Sequence, residues 1–145
     1  MLIMPFTDLQ KSLSTLIGTS VTLVSFAESP EAASVQLQFS DGATLVARYW
    51  RIISKCLRGL SSFDHGQIYG LTSPISAVEQ LQRIIGGRPV DAAQFNERTG
   101  DLVFVFQPEI EFYAFNFSGY EVWEIRFSDG AGEYSNNAFE SASES

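Results

Sequence analysis

Cysteine and histidine are almost absent from this sequence: its 145 residues include one of each, Cys56 and His65. A single cysteine cannot form a disulfide within the chain, which favours a reducing compartment. One cysteine and one histidine, without regularly spaced carboxylates, leave no set of three or four ligands for a metal ion. We therefore expect a cytoplasmic protein that holds no metal and no cofactor.

Long hydrophobic runs and a signal sequence are lacking as well. No apolar stretch approaches the ~18 residues of a membrane-spanning helix, and no basic segment followed by an apolar one opens the chain. No G-x-S-x-G motif marks a serine nucleophile. Gly86-Gly87 follows a predicted helix, whereas a phosphate-binding glycine loop precedes one. The sequence thus predicts neither a membrane protein, nor a serine hydrolase, nor a phosphate-binding loop.

Positive charge is scarce: nine lysine and arginine residues stand against 17 aspartate and glutamate residues, which gives a net charge of −8. Because nucleic-acid binding needs a cationic surface, this balance argues against a nucleic-acid partner. The acidic excess is concentrated in residues 108–145, which hold eight acidic residues and one basic residue. This distribution favours a basic protein as the partner.

The remaining composition is that of a globular protein, with 45% hydrophobic and 13% aromatic residues. The composition does not change along the chain in a way that would mark a domain boundary. We expect one domain over residues 1–130. Residues 131–145 should form a disordered acidic tail, because they cannot bury enough apolar surface to offset the entropy of ordering. No internal repeat of fixed period is evident.

Hydrophobic periodicity predicts two helices and a series of strands. The helices should span residues 8–17, capped by Thr7, and residues 75–85, capped by Ser73. Strands are predicted at 20–27, 34–39, 43–54 and 89–98, and as a three-stranded antiparallel meander over 101–127.

The meander carries most of the fold information. Residues 102–106 are apolar on both faces and should be covered on both sides, whereas 121–127 should form an outer strand with one wet face. The predicted fold is α+β: a strongly twisted antiparallel sheet of about six or seven strands with two helices packed on it.

The longest predicted loop, residues 57–74, contains the sequence Asp64-His65-Gly66-Gln67. His65 could act as a general base that Asp64 orients. Alternatively, Asp64 accepts backbone N–H groups in a turn while His65 packs or caps, as is common in turns rich in Asp and Gly. We favour the second interpretation, because adjacent side chains rarely point at each other.

A second candidate is a pocket around Glu121, which alternation places on the apolar face of the last strand. A carboxylate at the edge of a core needs a cation, and Arg48 or Arg51 could supply it. The cluster is either a binding pocket with aromatic walls or a structural ion pair that locks two strands. Together with the loop residues Asp64 and His65, the candidate binding residues are Arg48, Trp50, Arg51, Tyr120, Glu121 and Trp123.

Several short motifs are similar to those of a group of small bacterial proteins of unknown function. That group has a strand ending in tryptophan, a DHGQ loop, a GDL strand and a final SGYE-x-W strand. The matching positions here are Trp50, Asp64-His65-Gly66-Gln67, Gly100-Asp101-Leu102 and Ser118-Gly119-Tyr120-Glu121 with Trp123. The resemblance covers about residues 33–127. Similar small acidic α+β proteins occur as immunity proteins beside bacterial toxins, which implies such a role by analogy.

These observations lead to three hypotheses about function. The first is a non-enzymatic binding protein of immunity type whose acidic surface docks a basic protein such as a toxin domain. The second is a small-ligand or sensory domain with a pocket near Trp50, Tyr120, Glu121 and Trp123. The third, which we rank last, is an enzyme built on His65. A long edge strand could also pair two copies into a homodimer.

Overall fold

The computed structural model describes residues 2–3, 6–28, 33–55, 58–116 and 122–135. These ranges contain two α-helices, eleven strands and one short 3-10 helix. In chain order the elements are β1 (Leu2–Ile3), α1 (Phe6–Ser14), β2 (Val21–Phe26), β3 (Val35–Phe39), β4 (Thr44–Ala47), β5 (Trp50–Ile53), β6 (Arg58–Ser61), the 3-10 helix η1 (Ser62–Asp64), α2 (Ala77–Ile85), β7 (Val90–Phe95), β8 (Leu102–Phe106), β9 (Ile110–Ala114), β10 (Trp123–Arg126) and β11 (Ala131–Tyr134). No helix in the described ranges is long and apolar enough to cross a membrane.

The strands form two sheets that share one core. The first sheet has the order β1-β11-β10-β4-β3-β2 and the second β6-β5-β9-β8-β7. Neighbours pair antiparallel, except that the short β1 runs parallel to β11. Buried side chains from both sheets and both helices form a continuous cluster, across which the ring centroids of Phe39 and Phe104 lie 5.8 Å apart. The predicted α+β class is confirmed, but the predicted single sheet is in fact two sheets.

The change of sheet occurs inside residues 43–54, which the sequence predicts as one strand. The run breaks after Ala47: β4 pairs with β3 and β10 in the first sheet, and β5 pairs with β6 and β9 in the second. Strict alternation fails at this point, because Ala47 and Trp50 are both buried although three positions separate them. Residues 43–54 have strand propensity throughout, so the sequence does not show where the chain passes from one sheet to the other.

The aromatic segment 101–127 is not a three-stranded meander. β8 and β9 form a hairpin in the second sheet, but β10 pairs with β4 and β11 in the first. β10 is thus an interior strand and not an outer one, although its alternation is as predicted, with Trp123 buried and Arg126 exposed. In β8 the outward-facing Val103 and Val105 are half-buried, so that face is only partly covered.

The two sheets are related by an internal repeat that the sequence does not reveal. The order β11-β10-β4-β3-β2 in the first sheet matches the order β6-β5-β9-β8-β7 in the second, element for element. α1 corresponds to α2, and β2 to β6 correspond to β7 to β11. Each half contributes a three-stranded unit to its own sheet, and its last two strands complete the sheet of the other half.

Strand register and backbone hydrogen bonds repeat as well. The β2–β3 and β7–β8 pairs each contain a bulge directly after their first residue, Val21 or Val90. Gly18 N–H donates to the Val90 carbonyl oxygen (2.8 Å), and reciprocally Gly87 N–H donates to that of Val21 (2.9 Å). Both glycines have a positive φ, 88° and 76°, which glycine adopts without steric cost.

Each helix protects an edge strand. The Gln10 side chain of α1 donates to the Ala93 carbonyl oxygen (3.0 Å) and accepts from the Phe95 N–H (2.9 Å) on β7. The Gln82 side chain of α2 accepts from the Val24 N–H (2.7 Å) on β2. Edge groups that are already bonded cannot pair with a further strand. The predicted homodimer would therefore need a surface other than these bonded positions.

The starts of both helices differ from the prediction. α1 begins at Phe6, so Thr7, the predicted cap position, is the second residue of the helix. α2 is capped by Ser76, whose hydroxyl accepts from the Glu79 N–H (3.4 Å), and not by Ser73. A Ser-Pro pair resembles a helix start, but here two further residues, Ile75 and Ser76, separate Pro74 from the first helical turn.

Two segments predicted to lack regular structure contain strands. β11 lies in the range predicted as a tail, pairs with β10 and buries Glu133 completely, so the domain extends beyond residue 130. The rest of the predicted tail, residues 136–145, lies outside the described residues. The predicted loop 57–74 contains β6 and η1. These strands have four residues with glycine and polar side chains, so neither alternation nor propensity marks them.

Candidate functional site

The DHGQ loop is held in one conformation by its own side chains. Asp64 Oδ2 accepts from the Ser61 N–H (2.8 Å), which caps η1, and Oδ1 accepts from the Tyr69 hydroxyl (3.0 Å). The bond to the carboxylate raises the pKa of Tyr69 above its ordinary value, because it favours the protonated phenol. Asp64 thus links Ser61, at the end of β6, to Tyr69 in the following loop.

His65 caps a helix. Its Nδ1 accepts from the N–H of Ala77, the first residue of α2 (3.1 Å). Its ring packs edge-on against Phe26, with ring centroids 5.3 Å apart. The loop base is closed by Gly66, whose N–H donates to the Ile75 carbonyl oxygen (2.9 Å). These contacts support the structural interpretation of the DHGQ residues over a general base.

Around Asp64 and His65 the chain exposes four large apolar side chains. Phe63 is 65% exposed, Ile68 51%, Tyr69 67% and Leu71 57%. Single exposed apolar residues are normal, but four within nine positions are a local concentration of exposed apolar surface, and such surface commonly marks interaction sites. We call residues 63–71 the apolar loop.

A cleft of ≈ 310 Å³ lies beside the apolar loop. Its aromatic wall consists of Tyr49 and Phe63, whose rings stack with centroids 6.0 Å apart and an interplanar angle of 24°. Its charged side is an ion pair between Arg48 and Glu28, whose side chains are 48% and 42% exposed. We call this depression the Tyr49–Phe63 cleft. Its other lining residues are Ala33, Ser34 and Ser62.

Trp50 and Trp123 occupy equivalent positions in the two halves. Trp50 Nε1 donates to the Ala33 carbonyl oxygen (2.9 Å), and Trp123 Nε1 donates to that of Gly100 (2.8 Å). Ala33 and Gly100 each lie two residues before the corresponding strands β3 and β8. Each indole therefore fixes the approach of the chain to a central strand.

The backbone of each tryptophan makes a second matching contact. The Trp50 N–H donates to Ser62 Oγ (3.2 Å), and the Trp123 N–H donates to Ser135 Oγ (3.3 Å). Both tryptophans are buried, with 1% and 2% exposure. Because both halves use tryptophan in the same way, we assign the two indoles to the core, although Trp123 also borders a small depression of ≈ 50 Å³ that Arg48 lines.

The two candidate arginines lie on different surfaces. Arg48 belongs to the cleft, whereas Arg51 lies on the outer face of the second sheet, with its guanidinium carbon 5.0 Å from the ring centroid of Tyr113 and 5.4 Å from that of Phe115. The Tyr113 hydroxyl donates to Glu111 (2.6 Å), and this bond, aided by burial, raises the pKa of Tyr113. Arg51 thus contacts the rings of Tyr113 and Phe115, and Tyr113 is hydrogen-bonded to Glu111. These four residues form a local cluster on the sheet surface.

A polar groove of ≈ 550 Å³ crosses the outer face of the first sheet. It adjoins two hairpin turns of the same sequence, Phe-Ser-Asp-Gly-Ala, at residues 39–43 and 127–131. In each turn the aspartate accepts from the alanine N–H two positions later, at 2.9 Å. The groove also contains an ion pair between Glu124 and Arg126 (3.4 Å). Its charged groups hold the turns and each other, and they indicate no particular ligand.

The predicted site residues are therefore distributed over several places. Arg48 lines the cleft, and Asp64 and His65 hold the adjoining loop. Trp50 and Trp123 belong to the core. Tyr120 and Glu121 lie outside the described residues, so their role in a pocket stays a prediction.

The sequence did not indicate the exposed side chains of the apolar loop. These side chains lie in a predicted loop, where periodicity carries no information. The sequence does contain one indication of this exposure. Large apolar residues recur in the loop without the spacing of a helix or a strand, so they do not fit a buried face. The missed residues are Glu28, Tyr49, Phe63, Ile68, Tyr69 and Leu71.

No three His, Cys, Asp or Glu side chains in the described ranges group so that they could hold a metal ion. Comparison of the chain with protein-family models, with curated proteins and with solved structures gave no match. The internal repeat therefore provides the available comparison. Features that both halves share serve the architecture, and features present in one half are candidates for function.

The cleft is a feature of the first half. Arg48 N–H donates to the Val122 carbonyl oxygen (2.9 Å), and Phe115 N–H donates to that of Tyr49 (2.8 Å). This reciprocal pair makes Arg48 equivalent to Phe115 and Tyr49 equivalent to Val122. The cation and the aromatic ring of the cleft are thus not required by the architecture, since the second half replaces both.

Proposed function

We propose that this protein is a non-enzymatic binding protein of immunity type that docks a basic protein through the apolar loop and the Tyr49–Phe63 cleft. The observation that carries the proposal is the exposure of four large apolar side chains, each more than half exposed, within residues 63–71. Exposed apolar surface is unfavourable in water, and its burial against a partner contributes about 25 cal/mol per Å².

The construction of the loop favours binding. Asp64 and His65 fix its conformation through hydrogen bonds to Ser61, Tyr69 and Ala77. A preorganised loop loses less conformational entropy on binding than a mobile one. Aromatic side chains such as those of Phe63 and Tyr69 are also the residues that most often dominate the energy of protein interfaces.

The charge of the chain favours a basic partner. A net charge of −8 attracts a cationic protein over distances of a Debye length, about 8 Å at physiological salt. Such attraction increases the association rate, whereas apolar contacts mainly govern dissociation. We therefore expect association with the partner to slow as salt concentration rises.

Site-specific photo-crosslinking in the source cells, followed by reconstitution, tests the proposal. A benzophenone amino acid replaces Phe63 and, in a control, Leu23, which is 49% exposed on β2. We expect the Phe63 position to give a specific adduct with a basic protein. The purified adduct partner must then bind the purified chain. Equal adducts from both positions, or a purified partner that does not bind, would contradict the proposal.

Matched serine variants measure the contribution of the apolar loop. Phe63→Ser and Leu71→Ser should each weaken binding to the purified partner at least tenfold, because buried interface anchors contribute roughly 1.4 kcal/mol or more. Ile17→Ser and Leu23→Ser remove side chains of similar exposure, 52% and 49%, outside the apolar loop and should leave affinity unchanged. Equal effects from both pairs would place the interface elsewhere.

A further inference from the structure

We infer that the Tyr49–Phe63 cleft receives an arginine side chain of the docked protein, which replaces Arg48 as the partner of Glu28. The inference rests on the proposed function, because it names the group that the docking surface recognises. It follows from the composition of the cleft, from the Arg48–Glu28 ion pair and from the difference between the two halves.

The composition of the cleft suits a guanidinium group. A planar cation gains from the face of an aromatic ring and from a carboxylate that accepts its N–H donors. The cleft provides both, because Tyr49 and Phe63 form a stacked wall and Glu28 lies on the charged side. Its volume of ≈ 310 Å³ is at the lower end of small-ligand pockets, a size suited to one long side chain.

The ion pair already present is an internal example of the proposed contact. Arg48 places its guanidinium against Glu28 at the edge of the same cleft. Both side chains are about half exposed, so the pair is screened by solvent and contributes little net stability. The backbone of Arg48 is held separately by its hydrogen bond to Val122. The side chain can therefore leave Glu28 without a change in the strands.

The internal repeat supplies a matched position at which the side chains differ. Glu28 and Glu97 each lie two residues after the corresponding strands β2 and β7, and both are exposed. In the second half, however, Phe115 replaces Arg48 and Val122 replaces Tyr49. A carboxylate thus occurs in both halves, but in the second half the residue equivalent to Tyr49 is not aromatic.

Titration with Nα-acetyl-arginine methylamide, followed by NMR, tests the inference on the intact chain. We expect saturable shifts at Ser34 and Phe63 with millimolar affinity. The uncharged citrulline analogue should bind at least fivefold more weakly, because it lacks the cation. Glu28→Gln should weaken arginine binding to a similar extent, whereas Glu97→Gln should leave it unchanged.

The decisive variant is Arg48→Ala. It frees Glu28 from its internal cation and should strengthen binding of the arginine probe about two- to fivefold, as expected for loss of an exposed competing ion pair. If Arg48 instead recognises an anion, the same substitution will not strengthen arginine binding, and Nα-acetyl-aspartate methylamide will bind the wild type. That outcome overturns the inference.

A second variant separates the aromatic wall from the carboxylate. Phe63→Leu keeps an apolar side chain but removes the ring face, and it should reduce the preference for arginine over citrulline. If no saturable shift occurs up to about 50 mM probe, the affinity is too low for a useful side-chain contact, and the inference is overturned. Crosslinking from position 63 to a basic protein would still support the proposed function in that case, so the two can fail separately.

Discussion

Replacing either tryptophan by phenylalanine tests whether the indoles serve the core or a binding site. Each substitution removes an indole N–H that donates to a backbone carbonyl oxygen, Ala33 for Trp50 and Gly100 for Trp123, at 2.9 and 2.8 Å. Leaving such an acceptor without its donor costs about 1–3 kcal/mol. The smaller ring also leaves a void, which adds about 1–2 kcal/mol in a packed core. Each variant should therefore lose about 2–5 kcal/mol of unfolding free energy.

Urea denaturation followed by far-ultraviolet circular dichroism is the suitable assay, because the substitutions themselves alter tryptophan fluorescence. The midpoint should fall while the m-value stays constant, which indicates a change in stability and not in the unfolded state. Because Trp50 and Trp123 make equivalent contacts, their costs should agree within about 1 kcal/mol. A cost below about 1 kcal/mol for Trp50, together with lost partner binding, would refute its assignment to the core.

Three further predictions concern other parts of the fold. His65→Ala removes the acceptor that caps α2 and should lower the unfolding free energy by about 1 kcal/mol in urea denaturation; an unchanged midpoint would contradict this role. Gln10→Ala and Gln82→Ala expose backbone groups on edge strands, so each should destabilise the fold by about 1–3 kcal/mol and increase self-association measured by light scattering; a monodisperse variant of full stability would contradict edge protection. The pKa of Tyr113 is raised, so the stabilisation linked to its protonated hydroxyl is complete below pH ~10 and is lost as pH rises through the higher folded value. Absorbance titration should show its pKa returning towards the ordinary value in Glu111→Ala, and an unchanged titration curve would contradict the assigned cause.

Features set by local periodicity could be predicted from the sequence. The helix predicted over 75–85 is observed as Ala77–Ile85, and the strand predicted over 102–106 is observed as Leu102–Phe106. In both cases one apolar pattern of constant period covers the whole element. The arrangement of strands into two sheets could not be predicted, because pairing depends on contacts between residues that are distant along the chain.

The internal repeat was hidden by unequal spacing. Equivalent residues are 69 positions apart for Val21 and Val90 but 73 apart for Trp50 and Trp123, because the crossing segment is longer in the second half. The one identical pentapeptide misleads, since the Phe-Ser-Asp-Gly-Ala turn between β3 and β4 corresponds structurally to the β8–β9 turn and not to the second copy of its sequence. The identical turns share a local geometry that the aspartate stabilises in each.

The candidate site was only partly predictable for a similar reason. Sequence identified Arg48 and the loop around His65, because charged residues beside aromatics and a histidine in a glycine-rich loop are chemically conspicuous. It could not show that Trp50 is a core residue whereas Tyr49 lines the cleft. Which of the two faces inward depends on the point where the chain passes between the sheets, at which the alternation of buried and exposed residues is interrupted. Exposure of Phe63 is likewise a property of the folded loop.

The repeat also explains how such a site can exist at little cost to stability. Matched hydrogen bonds at the glycine pair join the two halves, and those of the tryptophan pair hold each half internally, so the architecture depends on residues that both halves contain. Positions that differ between the halves, such as Arg48 and Phe115, are free of that requirement. A cation in one half and an aromatic ring in the other satisfy the same backbone contacts. Function is therefore expected where the first half departs from the second, at the cleft and its apolar loop.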